Sequence, residues 1–508
     1  MNSMSGHSGG GSRDAFDTDD DDDDDETLDE DIADPGAGSN RFFRPRNGAD
    51  KGAGRVFAAV EVPEPNDDVA RSSLDESEES VSLECIDADW FWQAQRSGKS
   101  WIDLYGEVPL SVLELQSYPL PEFPPGAQPG DIAWFEFGYE YSSLVESDAR
   151  VYTSLYSQGA PARITFHEPR GKDWAGEGPM GNRGWLAGHM NSTLNRTVSN
   201  DPPSFLRRLG RVKRSAGVAV YDVGQGNCQA LLDEHLHIPL LYVDFGGGVL
   251  FNSNTFPKSL RGFCFTERPP IVLSHWDWDH WSSAYRYPIA LSQEWIAPPV
   301  PETPIQQAFA ADLYAKGHLS IWDNGWPSEL RAGGVRIERC TGRTSNDSGL
   351  AVTFNSGAIG RRSCLLPGDA AYRFVPSVAA AERFNALCMS HHGGRLHSKH
   401  YPLPKRNAVA VNSAGPRNSY KHPMLATLAS HFEAGWPMPV VTGTSGQRPC
   451  HVFLPWGKKP HLFHGGCHGD VCGVAIARTV PHCASVTMPA KPAPTTSKGK
   501  AAKASVSA

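Results

Sequence analysis

The sequence predicts a mixed α/β fold whose strands deliver their chemistry to one edge. Three observations point to it. From about residue 213, brief apolar runs recur, and nearly every one ends in a polar or glycine-rich group. The connecting stretches Ile305 to Lys316 and Met424 to Ala434 have helical spacing and no internal proline. One apolar run, Ile271 to Leu273, leads into Ser-His-Trp-Asp-Trp-Asp-His, which places His275, Asp277, Asp279 and His280 within six positions.

The chain opens with a segment that lacks the means to fold. Residues 1 to about 54 are rich in Gly, Ser and Asp and poor in large apolar side chains, so burial cannot offset the entropy of ordering them. Asp19 to Asp25 are seven consecutive aspartates, followed by Glu26, Asp29, Glu30 and Asp31. Much of the net charge of −10 therefore sits in this disordered acidic tail, and the folded part is closer to neutral.

Residues 55 to 212 read as an N-terminal domain of unassigned role. Two aromatic clusters, Trp90-Phe91-Trp92 and Trp134 to Tyr141, together with the alternating run Ala162 to Phe166, suggest strands around a genuine core. Glycines and prolines between 168 and 186 suggest a long loop. Ser97-Gly98-Lys99-Ser100 is not a phosphate loop, because position 93, where the upstream glycine belongs, is Gln.

Within 213 to 456 the strands and their endings follow in order. Val218 to Tyr221 precedes Asp222-Val-Gly-Gln-Gly, and Leu240 to Val243 precedes Asp244-Phe-Gly-Gly-Gly. Ile271 to Leu273 precedes the His/Asp cluster, and Cys364 to Leu366 precedes Pro-Gly-Asp369. Ala386 to Met389 precedes His391-His392-Gly-Gly, and Val409 to Val411 precedes Asn412-Ser413. Strand ends that all carry polar groups imply one functional edge.

The cluster at 275 to 280 reads as a metal cradle. It offers imidazole nitrogen and carboxylate oxygen within a few ångströms, and neighbouring carboxylates packed without cations would repel one another. A pair of divalent ions removes that cost. The interleaved Trp276, Trp278 and Trp281 read as packing beneath the site.

Taken in order, these motifs resemble the metallo-β-lactamase superfamily, in the branch found as the soluble domain of the competence protein ComEC. The resemblance rests on Asp222 to Gly226, Asp244 to Gly247, His275 to His280, Gly368-Asp369, His391 to Gly393, and Asn418-Ser-Tyr-Lys-His-Pro423. It covers about residues 213 to 456. It implies an αββα sandwich with two divalent metal ions, Zn or Mn, along one edge. By the resemblance, His275 and Asp277 hold one ion, Asp279 and His280 the other, and Asp369 bridges them. His391 or His392 completes the second site, with the choice left open. Asp222, Gln225 and Asp244 support these ligands from behind. Three departures stand out. Asp277 takes the place of a histidine found in lactamase-like members, Gly394 that of a serine, and Lys421 that of a glycine. The first makes one site oxygen-rich, which moves preference from zinc towards manganese.

The activity this implies is phosphoester hydrolysis by a metal-bound hydroxide, with Asp279 orienting the nucleophile and accepting its proton. His422, followed by a proline, would bind the non-bridging oxygen or protonate the leaving group, and Asn418 and Tyr420 would donate to the phosphate. A nuclease acting on DNA is the leading version. The alternatives are a hydrolase of a small phosphoester or thioester, and a non-catalytic binding or regulatory module. Basic runs at Arg207, Arg208, Arg211, Lys213, Arg214 and at Arg361, Arg362 read as solvated faces rather than as a phosphate track.

Towards the end of the chain, Cys450, His451, His461, His464, Cys467, His468, Cys472, His482 and Cys483 crowd a Gly-rich stretch, of which 457 to 487 reads as a Cys/His-rich extension that a structural zinc could tie down. The spacing matches no paired Cys-x-x-Cys arrangement, so a loose extension with ordinary thiols is the favoured reading and a structural zinc the alternative. Residues 488 to 508 read as a disordered basic tail. The ten cysteines are scattered, several in apparent strands, which suits buried free thiols. No apolar stretch approaches the roughly 20 residues that span a bilayer, and no secretory h-region is evident, so the expected compartment is the cytoplasm, with no membrane association. A DNA-import channel is accordingly not expected of this chain.

Overall fold

The computed structural model describes residues 52–63, 81–97, 108–116, 122–123, 126–167, 207, 209–210, 215–234, 238–260, 262–356, 362–396, 400–443 and 450–463. The expected acidic tail up to residue 51, the loop at 168–186, most of the 207–214 basic run, the Cys/His extension beyond 463 and the basic tail lie outside the described residues.

Strand alternation in the first third of the chain builds a closed barrel. Its strands are β1 (Ala53–Glu61), β2 (Val81–Asp87), β3 (Leu110–Leu115), β4 (Ile132–Tyr141), β5 (Ala149–Tyr152) and β6 (Ala160–His167). They pair antiparallel in the order β1-β2-β3-β5-β6-β4, and β4 closes back on β1 through pairs such as Val56↔Phe137. On β1, Val56, Ala58 and Val60 fill one core with Phe135, Phe137 and Leu113, while Phe57 and Ala59 face a second core outside. Closure leaves no unpaired edge. The cluster Trp90-Phe91-Trp92 departs from the expected strand: it lies in a helix, α1 (Ala88–Ser97). Asp87 Oδ1 accepts the Trp90 N–H at 2.8 Å, three residues on, which is N-cap geometry and outweighs the aromatic preference for strand.

The remainder is a sandwich of two mixed sheets. The first sheet has strands β7 (Ser215–Val220), β8 (Gln229–Asp233), β9 (Pro239–Val243), β10 (Ile271–Val272), β11 (Trp295–Ala297), β12 (Leu319–Ile321), β20 (His451–Pro455) and β21 (His461–Phe463), in the order β12-β11-β10-β9-β8-β7-β20-β21. The second has β13 (Glu329–Ala332), β14 (Val335–Arg339), β15 (Leu350–Asn355), β16 (Ser363–Leu366), β17 (Arg383–Cys388), β18 (Leu403–Asn412) and β19 (Val440–Val441), neighbouring in sequence order. Val220, Leu231, Val243, Val272 and Ile296 of the first sheet meet Ile337, Val352, Leu366, Cys388 and Val411 of the second in one apolar layer.

Helices cover both outer faces. Short α2 (Ser283–Arg286) and longer α3 (Pro304–Ala315) pack on the first sheet, with Phe309 and Leu313 in its outer core. Short α4 (Pro376–Ala379) and α5 (Leu425–Glu433) flank the second sheet, where Val375, Val378 and Trp436 join a further core. The mixed α/β sandwich expected from the strand endings is therefore present. Cys228, Cys364 and Cys388 are free and buried, as expected, whereas Cys450 is disulfide-bonded. No helix among the described residues is long and apolar enough to cross a membrane.

The barrel docks beside the ends of β9 and β10. Phe57, Phe91, Trp134 and Tyr152 share a continuous core with Trp276, Trp281 and Phe309. Two carboxylates, buried Glu84 and half-buried Glu61, cross the junction. Glu84 accepts from Trp278 Nε1 at 2.6 Å and from the Ile305 N–H at 2.7 Å, supplying the cap that Thr303 does not give α3. Glu61 accepts from the Ser345 N–H at 2.6 Å and from its hydroxyl at 2.7 Å.

Candidate metal centre

Parallel strand ends from both sheets converge on one pocket. After β10, Leu273 is the last fully apolar residue, and the chain turns so that His275 and His280 point inward. Trp276 and Trp281 are buried behind them, Trp281 stacking on Phe309 with ring centres 4.1 Å apart. Asp277 and Asp279 are more open. Asp369 arrives from the end of β16, and His392 from the end of β17.

Glycine makes the close approach possible. A Cβ on Gly246 would overlap the carbonyl of Asp279, so no other residue lets the 244–248 loop lie against this one. Gly368, at φ +61°, allows the turn before Asp369 to sit on Ser274.

The donor atoms lie within a few ångströms of one another. His275 Nε2 is 3.3 Å from Asp277 Oδ2 and 3.9 Å from Asp369 Oδ2. His280 Nε2 is 3.2 Å from Asp369 Oδ1 and 3.8 Å from Asp279 Oδ1. His392 Nε2 is 3.1 Å from Asp279 Oδ2 and 3.6 Å from Asp369 Oδ2. Two overlapping groups could hold a metal ion, His275–His280–Asp369 and Asp279–His280–His392.

The opposite ring nitrogens are anchored. His280 Nδ1 donates to Asp244 Oδ2 at 2.8 Å, and His392 Nδ1 donates to the Ser413 carbonyl at 2.9 Å. Asp244 also accepts from the N–H and the hydroxyl of Ser274, whose oxygen lies 3.1 Å from His275 Nδ1. Each ring is thereby turned so that Nε2 faces the pocket. The Nε2 atoms of His275, His280 and His392 are buried and have no hydrogen-bond partner among the described residues. Buried polar atoms are ordinarily satisfied, so three orphaned imidazole nitrogens beside two carboxylates fit a divalent cation.

Electrostatics point the same way. Burial alone would lower His280 and His392, but the nearby carboxylates outweigh it and hold both above their ordinary value. Burial would raise Asp369 and Asp279, but the surrounding imidazoles hold both below theirs. The pocket demands positive charge.

Of the adjacent pair, His392 is the buried one, 1 % exposed. The His391 side chain is 38 % exposed and stands at the rim, its Nε2 3.9 Å from Asp369. Both residues have left-handed backbones, φ +51°, which directs the two rings differently. Asp277 stands beside His275 but also opens to the rim, and it belongs to neither of the two tight groups.

The 418–423 loop sits opposite. His422 Nδ1 lies 3.3 Å from Gln225 Nε2, and an amide N–H donating there leaves the ring proton on Nε2. Burial, then His391 and His392, push His422 down to about 3, so the ring is neutral at neutral pH. Gly394 keeps room for it, since a Cβ there would come within 2.6 Å of His422 Nε2. Asn418, expected to face substrate, is turned into its own loop. Its oxygen accepts the His422 N–H at 2.9 Å, and its nitrogen donates to the carbonyls of Gly415 and His422. Tyr420 is 38 % exposed and packs edge-on to Phe251. Asp222 accepts from the N–H groups of Gly224 and Cys450, tying β20 to the 222–226 loop rather than touching the donor cluster.

Sequence reasoning missed Ser274, Asn227, Glu61 and Glu84. Ser274 and Asn227 adjoin the motifs and were within reach; Asn227 Nδ2 lies 3.5 Å from Asp369 Oδ1. Glu61 and Glu84 come from the barrel, and no local pattern marks them.

No family model and no curated protein matches the chain. A search of solved structures finds the 1.98-Å crystal structure of Zn2+-bound PqqB from Methylobacterium extorquens, at 8% identity and a TM-score of 0.24, covering 34% of this chain and 72% of that one. A likeness of that size assigns neither the fold nor the chemistry of this chain.

Proposed function

We propose that this chain is a metal-dependent phosphoester hydrolase of the metallo-β-lactamase type, with ComEC-like cleavage of DNA as its leading activity. The observation that carries the reading is the convergence on Asp279 and Asp369 of three buried imidazole nitrogens that make no hydrogen bond among the described residues. The motif order from Asp222 to Pro423 supports the family and the nuclease version. In this reading the centre takes two divalent ions, Zn or Mn, held by His275, Asp277, Asp279, His280, Asp369 and His392. When bound, the ions supply an activated water and neutralise charge on the attacked phosphoryl group.

The protein groups do the rest. Asp279, at the open side of the cluster, takes the proton of the attacking water. His422, neutral and carrying its proton on Nε2, donates a hydrogen bond to a non-bridging oxygen; its low pKa makes it a poor proton store, so it serves as an oxyanion donor rather than as a general acid. Asn418 contributes by fixing the backbone of His422. His391, at the rim, faces the substrate side.

The test is incubation of the purified chain with Zn or Mn and linear, nicked or single-stranded DNA, alongside bis(p-nitrophenyl) phosphate. Cleavage of DNA that is lost in Asp279→Ala and Asp369→Ala supports the reading. Cleavage of the small diester alone moves the assignment to a small-phosphoester hydrolase. No metal uptake and no cleavage of either substrate would overturn it in favour of a binding module.

A further inference from the structure

A narrow cleft of about 30 Å³ opens beside Asp279, lined by Gln225, Phe251, Asn252, Trp278 and Tyr420 among others. Such a volume admits one small polar group but no ring. Gln225 is 1 % exposed, and its Oε1 is buried without a hydrogen-bond partner among the described residues. Its Nε2 is directed at His422, while Oε1 meets no donor and keeps an acceptor to offer. Leaving a buried acceptor unsatisfied is costly, and Gln225 is one of the residues that line the cleft. Around this polar floor the walls are aromatic. Phe251 and Tyr420 meet edge to face with ring centres 5.1 Å apart, and Trp278 is locked by its bond to Glu84. Tyr420 keeps 38 % of its surface open at the mouth.

We infer that this cleft is a subsite for a planar ring bearing an N–H donor, the chemistry of a nucleobase: the donor enters to meet Gln225 Oε1 and the ring body rests in the mouth against Tyr420. Asp279 forms part of the same lining, so a base held here belongs to the nucleotide next to the metal centre. The inference rests on the phosphoester-hydrolase reading and narrows it, because substrates without a base leave Gln225 unmet. Base stacking on an exposed aromatic tolerates any base, and the acceptor adds a preference for those that present an N–H.

The experiment is calorimetric titration of the full chain, with Zn or Mn present, using thymidine 5′-monophosphate, its N3-methyl derivative and 2-deoxyribose 5-phosphate. Thymidine monophosphate should bind roughly tenfold tighter than the sugar phosphate, as expected for one base stacked on an aromatic side chain with a buried hydrogen bond. N3-methylation should remove much of that gain, and Tyr420→Leu should bring the two nucleotides towards the sugar phosphate. Tyr420 is part-exposed, so its replacement leaves the core intact. Equal affinity for all three ligands overturns the inference, with the cleft then holding only water. Binding is read without turnover. A chain that prefers the nucleotide yet cleaves no phosphodiester fails the proposed function alone, and one that cleaves diesters but shows no base preference fails the inference alone.

Discussion

Three carboxylates, Asp244, Asp279 and Asp369, surround the buried ring of His280, and that crowding sets the acid–base behaviour of the pocket. The imidazoles of His280 and His392 are raised above 6.5, and the carboxyls of Asp279 and Asp369 are lowered below 3.8. Raised imidazoles stabilise the metal-free fold below their unfolded value and lose that contribution as pH rises through the folded one. Depressed carboxyls contribute above 3.8 and lose their share on acidification through their folded values. Metal-free protein should therefore lose stability on both sides of that window, as urea titration across pH would record. Metal uptake displaces the imidazole protons, so affinity should climb as pH rises above 6.5 through the raised imidazole values in a chelator competition, and a flat profile would count against these ligands. His392→Ala should weaken metal binding by on the order of 100-fold, whereas His391→Ala should leave it within about threefold, since a fixed buried ligand is worth more than a rim group. The motif spacing displayed His275, His280 and Asp369 plainly. It could not choose between His391 and His392, nor reveal that Asn418 turns inward, because two left-handed residues and a loop amide decide those directions.

Among elements, α3 begins without a side-chain cap of its own, and the barrel supplies one. Glu84 is pushed up to about 7 by burial, against the hydrogen bonds from Trp278 and Ile305. Its folded value exceeds the unfolded one, so ionisation costs stability as pH rises from 4.5 towards 7. Glu84→Ala should destabilise the chain by about 2 kcal/mol, since it orphans the Trp278 N–H and a helix terminus. Glu84→Gln keeps an acceptor and removes the titration, so it should flatten the pH dependence of unfolding; an unchanged slope would refute the assignment. The helices over 304–315 and 425–433 were legible from spacing because their periodicity is local. The barrel was not, since its closure pairs β1 with β4, and its aromatic run at 90–92 obeys the Asp87 cap instead of its own strand preference.

At the scale of the whole molecule, barrel and sandwich share one core, from Phe57 and Trp134 to Trp281 and Phe309. A chain starting at about residue 213 should consequently expose a large apolar face and aggregate, which light scattering of the truncated protein would reveal; a monodisperse, metal-binding fragment would contradict it. This docking was invisible in the sequence, because neither Glu61 nor Glu84 carries a motif and their partners lie 194 to 284 residues away. The donors of the centre also come from opposing sheets, His275 and His280 following β10, and Asp369 and His392 following β16 and β17. Any cation lodged among them is a stitch across the open seam of the sandwich. Deuterium uptake along both lips of that seam should slow together when the stitch is in place, and quicken together when a chelator draws it out.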